Sequence, residues 1–168
     1  MNYLIALSCL LCVAYILFIW LFSYFFDGKF ARIPERAIVS LPVIFFLSLI
    51  GYAISFQIKD IEVGNRVMHG FGGGFLAFLV CFLAVSDSKL KIDRVRFFIF
   101  AFLLVTAMGV ANEIAECVLQ QYGTLASATS VTDTWYDLIS NTIGALLAAI
   151  VFLPLIKTQH RNIDFIEK

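Results

Sequence analysis

Charge is scarce in this chain: Asp, Glu, Lys and Arg make up 14% of it against 61% hydrophobic residues, and they balance at twelve basic and twelve acidic. A soluble fold would leave much of that apolar surface in water, so the composition excludes an ordinary water-soluble domain. The even balance also removes the basic excess that a nucleic-acid partner would call for. Histidine occurs only twice, which rules out a histidine-rich metal tract. The four cysteines, Cys9, Cys12, Cys81 and Cys117, lie inside apolar stretches and lack the spacing of a zinc site or a disulfide framework. Cys9-x-x-Cys12 has redox spacing, but no basic neighbour favours a thiolate there, so it reads as helix packing. Walker, HExxH and GxSxG motifs are all absent.

What the chain does have is five apolar stretches, near residues 3–26, 37–56, 67–86, 97–119 and 135–155. Each is about as long as a helix that crosses ~30 Å of hydrocarbon. The bilayer core offers no water to satisfy backbone amides, so these stretches must be helices. The first has no preceding basic residue and no small-x-small cleavage site, and it is too long for a signal peptide, so it reads as a true span. The expected fold is therefore all-α: one polytopic membrane domain over 1–168, a bundle of five transmembrane helices.

An odd number of spans sorts the loops into two sets. One set collects Lys29, Arg32, Arg36, Lys89, Lys91, Arg94, Arg96, Lys157, Arg161 and Lys168; the other holds only Lys59 and Arg66. The positive-inside rule then puts the N-terminus outside and the C-terminus in the cytoplasm, as expected for a bacterial cytoplasmic (inner) membrane. Trp135 and Tyr136 mark the outer start of the fifth helix, and Trp20 and Tyr24 the inner end of the first.

Ionisable side chains within spans are costly and tend to be paired or functional. Four are expected inside or at the rim of a span: His69 opening the third helix, Glu113 and Glu116 near the outer end of the fourth, and Asp137 opening the fifth. All four belong to the external end, and with Asp133 and Asn141 they should occupy a slab of order 10 Å. Gly109, Glu113, Glu116 and Gln120 form one stripe along the fourth helix, with Asn112 beside Glu116, and Asp133, Asp137, Asn141 and Gly144 form another on the fifth. Two polar stripes in lipid should face each other. Gly70, Gly72, Gly73 and Gly74 let a third helix approach closely, and Gly70-x-x-x-Gly74 reads as serving contacts within the chain.

One imidazole with several carboxylates and amide oxygens suits a divalent cation such as Mg²⁺, Mn²⁺ or Zn²⁺. The candidate ligands are His69, Glu113, Glu116 and Asp137, and a cation would offset the repulsion between the two glutamates. Asn112, Gln120, Asp133 and Asn141 are candidates for holding a lipid or envelope-precursor head group. Were that head group hydrolysed, Glu113 or His69 would be the catalytic base toward water. Two other readings stand beside this one: a structural or accessory protein whose polar cluster only registers helices, and a proton- or cation-coupled carrier. The carrier would want polar groups in the inner half, where the first two helices offer only Ser and Tyr.

The segments His69-Gly-Phe-Gly-Gly-Gly-Phe, Asn112 to Gln120 and Asp133-x-x-x-Asp137-x-x-x-Asn141-x-x-Gly144 resemble those of VanZ-like membrane proteins, and are also similar to YjdF-type inner-membrane proteins. The resemblance covers helices three to five, 67–156. It implies His69, Glu116, Gln120, Asp133, Asp137 and Asn141 as the counterpart residues, in the context of the cell envelope and glycopeptide resistance.

Overall fold

The computed structural model describes residues 2–122 and 131–156, apart from the side chains of Asn2, Gln120 and Val131. Lys157, Arg161 and Lys168 of the basic set lie outside the described residues. The elements are α1 (Asn2–Asp27), α2 (Ala37–Gln57), α3 (Ile61–Met68), a π-helical segment (His69–Leu76), α4 (Ala77–Asp87), α5 (Arg94–Tyr122), α6 (Val131–Phe152) and a closing 3₁₀ turn (Leu153–Leu155). Among the described residues there is no strand. Five helices are long and apolar enough to cross a membrane, with α3, the π segment and α4 forming the single span Ile61–Asp87.

Local chemistry explains where the spans begin and end. α1 stops at Gly28, whose φ of 68° is the left-handed turn that glycine adopts at low cost. Its N–H donates back to the Tyr24 carbonyl at 3.0 Å. α3 starts at Ile61 because the Asp60 carboxylate accepts from Val63 N at 3.1 Å and caps the helix. Glu62 and Arg66, four residues apart, then pair along the new helix at 3.2 Å. The third span thus opens six residues earlier than the apolar stretch, which places Arg66 on a helix and His69 in its third turn. At the fifth span α6 already starts at Val131, so Asp133 lies in its first turn rather than opening it, and Asp137 sits deeper than a helix start.

Packing centres on the π segment, which is pressed against α6. A methyl group on Gly144 would collide with the Gly70 carbonyl oxygen, and one on Gly74 with the Asn141 carbonyl. Only hydrogen at these positions allows so close a crossing. The Gly70-x-x-x-Gly74 spacing does serve a contact within the chain. Below this crossing the same four-residue step runs through buried residues on each helix: Ala77 and Cys81 on the third span, Val105 and Ala101 on α5, and Ala145 and Ala149 on α6. Small side chains let three helices share one seam.

The opposite end carries polar contacts that the apolar pattern did not disclose. Asp87, at the end of α4, is buried and accepts hydrogen bonds from Tyr15 of α1 at 2.7 Å and Ser40 of α2 at 2.6 Å. The expectation of only four span-embedded ionisable groups is corrected: Asp87 is a further buried one, and Glu62 and Arg66 also lie within the third span. Arg94, at the start of α5, donates to the carbonyls of Pro154 and Ile156, both at 3.1 Å, and satisfies the free end of the last span. Phe22 of α1 stacks on Phe97 and meets Phe100 edge-on, drawing α1 and α5 together at this basic end.

Candidate functional site

Three spans deliver His69, Glu113 and Asp137 to one buried spot. Their ligand atoms lie within 4.8 Å of one another. His69 is the first residue of the π segment, where the wider helical turn swings the side chain relative to a regular α-helix. Its two ring nitrogens face different carboxylates: Nδ1 lies 3.8 Å from Glu113 Oε1, and Nε2 lies 3.5 Å from Asp137 Oδ2. All three residues are buried, with Asp137 only 2% exposed.

The two carboxylates differ in how they are held. Both oxygens of Asp137 accept from the Asn65 side-chain amide, at 3.1 and 3.0 Å. Asn65 is one helical turn before His69, so the same face of the third span supplies the imidazole and the clamp on its partner. Both oxygens of Glu113 are buried without a hydrogen bond. Thr134 and Asn112 lie close to that carboxylate, yet neither closes a hydrogen bond of sound geometry. An unpaired buried carboxylate is costly, which makes Glu113 the incomplete member of the cluster.

One turn deeper the same three spans place Gly73, Gly109 and Asn141 in contact. A methyl group on either glycine would run into the Asn141 side chain. Asn141 is 4% exposed, and its Oδ1 has no donor. Asn141 stands four residues beyond Asp137, Gly73 four beyond His69, and Gly109 four before Glu113. The cluster is therefore two stacked layers on one seam, and the expected convergence of polar stripes from α5 and α6 takes this form.

The fourth-helix stripe divides. Glu113 turns inward, while Glu116 turns away from the His69 group, accepts from Asn112 Nδ2 at 2.7 Å and lines a cavity. That cavity, about 460 Å³, lies between α1 and α5, and His69, Asn112, Glu116 and Asn141 line it together with apolar residues. Asp133 is half-buried and lies outside the three-residue group; the Gln120 side chain lies outside the described residues. On the rim of α3, the Arg66 guanidinium stacks on the Tyr136 ring with its carbon 4.2 Å from the centroid.

Sequence reasoning did not single out Asn65 or Asp87, and it counted Arg66 only among the loop charges. Asn65 had a readable signal, since it continues the four-residue step of His69 and Gly73 toward the start of the third span.

Spans, seam and embedded charges define a polytopic helical membrane protein with a buried His/Glu/Asp cluster. The family model described as "Predicted membrane protein (DUF2238)" matches residues 2–158, and the chain belongs to that family. No curated protein and no solved structure matches it.

Proposed function

We propose that this protein binds a divalent cation at His69 and Glu113, with Asp137 orienting the imidazole, on the outer side of a bacterial cytoplasmic membrane. The cation site serves a lipid or envelope-precursor head group brought to its rim. The observation that carries this reading is Glu113: a buried carboxylate, facing an imidazole nitrogen, with neither oxygen hydrogen-bonded. A cation supplies the missing partner. The donor set fits, because imidazole with carboxylates suits Zn²⁺ or Mn²⁺, and Mg²⁺ accepts one or two carboxylates with the remaining positions left to water.

In this reading the two carboxylates have separate tasks. Asp137, fixed by Asn65, holds Nε2 of His69 and so sets which ring nitrogen carries the proton. Nδ1 is then free to act as a ligand beside Glu113. A bound cation supplies Lewis-acid polarisation of water or of a head-group oxygen. Glu113 and His69 are the residues placed to take up a proton there, and Glu116, Asn112 and Asn141 line the approach. The likeness to VanZ-like proteins agrees with an envelope-facing site.

The test is metal content and calorimetric binding of Zn²⁺, Mn²⁺ and Mg²⁺ to purified protein and to Glu113→Gln. Stoichiometric binding that the variant lacks, with folding intact, supports the site. Equal binding by both, or none by either, sinks it. A second reading, that the cluster only registers helices, draws on the Asn65 clamp, which already gives each oxygen of Asp137 a donor. Under that reading Glu113→Gln changes thermal stability and no binding signal exists to lose. A coupled carrier would instead show cation flux in proteoliposomes.

A further inference from the structure

Among the described residues, few buried side-chain atoms lack a hydrogen bond, and they are of two kinds. The hydroxyls of Ser8, Ser23 and Ser88 can both donate and accept, and Arg66 Nε is a donor. Glu113 Oε1, Glu113 Oε2 and Asn141 Oδ1 are different: as a carboxylate and an amide oxygen they only accept, and no donor reaches any of them. Both residues are more than nine-tenths buried, and they belong to neighbouring layers of the seam. Leaving three such acceptors unserved in one place is costly.

Helix direction turns these atoms toward one another. Side chains of a helix lean toward its N-terminus. Asn141 follows Asp137 by one turn of α6, so it leans from its own layer back toward the His69 cluster. α5 passes the two layers in the opposite order, Gly109 before Glu113, so Glu113 leans toward the layer of Asn141. The Asn141 amide lies across the seam, with Oδ1 on the side of Gly73, one turn beyond His69, and Nδ2 on the side of Gly109. The absence of side chains at both glycines leaves the amide its place. Three acceptors thus converge on the step between the layers, beside His69 Nδ1. A proton on Glu113 would serve one acceptor and leave the other carboxyl oxygen without a donor. A cation serves all of them at once. Charge agrees, because Glu113 and Asp137 together balance a divalent ion, so a further ligand in so buried a place is best neutral, as an amide oxygen is.

We infer that Asn141 Oδ1 is a ligand of the cation held by His69 Nδ1 and Glu113, and that this oxygen favours Mn²⁺ more than it favours Zn²⁺. The inference rests on the cation reading above and adds the residue that sets which ion the site keeps. Imidazole serves Zn²⁺ well, whereas Mn²⁺ gains more from each added carbonyl oxygen.

The experiment titrates purified full-length protein with Mn²⁺ and Zn²⁺ by calorimetry and records the absorption spectrum of bound Co²⁺, for the wild type, Asn141→Ala, Asn141→Asp and Glu113→Gln. Asn141→Ala should weaken Mn²⁺ about tenfold and Zn²⁺ less than about threefold. Asn141→Asp keeps the shape and the oxygen; it should hold Mn²⁺ at least as tightly as the wild type and shift the Co²⁺ bands, because a charged ligand replaces a neutral one. Where Asn141→Ala does not fold, Asn141→Asp decides alone through those bands. Wild-type affinities and superimposable Co²⁺ spectra in the Asn141 variants, with binding lost in Glu113→Gln, overturn the role of Asn141 and leave the cation site standing. Equal weakening of both ions with unshifted Co²⁺ bands marks a packing change and also overturns it. No cation bound by the wild type overturns the cation site and this inference together.

Discussion

Replacing Gly144 with alanine should be the most damaging single-methyl change in the protein. The added carbon would overlap the Gly70 carbonyl oxygen, lie 2.7 Å from that carbonyl's carbon and 3.0 Å from Phe75 N. Every one of these neighbours is backbone, so no side chain can rotate away. Restoring ordinary contact requires α6 and the π segment to separate by about 1.5 Å, which forfeits more than half of the attraction of each atom pair along the crossing. We expect a loss of about 3 kcal/mol, at the upper end for overpacking. Alanine's helix advantage returns less than about 1 kcal/mol. Gly70→Ala is the internal control: its methyl would meet only the Ser140 carbonyl oxygen, at 3.2 Å, so the net change should stay within about 0.5 kcal/mol. Both variants are compared in one detergent by SDS titration with a far-ultraviolet readout. Equal midpoints for the two would refute the claim that backbone approach at Gly144 sets the distance between α6 and the third span.

Other outcomes follow from particular contacts. Asn65→Ala removes both donors to Asp137 and should cost about 1–3 kcal/mol in thermal stability; if the cation reading holds, it should also weaken metal affinity by about 10- to 100-fold, read by calorimetry. Asp87→Ala strips the shared acceptor from Tyr15 and Ser40 and should destabilise by about 2–4 kcal/mol, whereas Tyr15→Phe should cost about 1 kcal/mol, with metal binding unchanged in both. Arg94→Ala leaves two terminal carbonyls without a donor and should lower stability by about 1 kcal/mol, detectable as faster hydrogen exchange at the end of α6. In a cysteine-free background, Lys59→Cys should react with a membrane-impermeant maleimide on intact cells and Lys89→Cys only after permeabilisation; the reverse pattern would invert the proposed orientation.

The five spans were legible because a bilayer leaves the backbone no alternative to helix, so hydropathy alone was enough. Their starts were less so. Lys59, Asp60, Glu62 and Arg66 look like a loop in an apolar scan, yet the capping Asp60 and the Glu62–Arg66 pair start a helix at Ile61. The earlier starts at Ile61 and Val131 place His69 and Asp137 further inward than the sequence reading did and make the cluster more buried than a rim site. The meeting of His69, Glu113 and Asp137 was readable from helical spacing. The division between Glu113 and Glu116 was not, because three residues of helix turn a side chain from the seam to the cavity. Nothing in the sequence marks a π turn except glycines, which also fit close packing. Asp87 was hidden by Ser86, Ser88 and Lys89 beside it, a run that reads as a solvated connection.

The cavity between α1 and α5 would also decide what concentration means for any guest that reached it from the lipid. A guest entering sideways never passes through water, so occupancy follows its mole fraction in the surrounding leaflet rather than its bulk molarity. Diluting the cells or the buffer would leave such a guest in place, while adding inert lipid would draw it out.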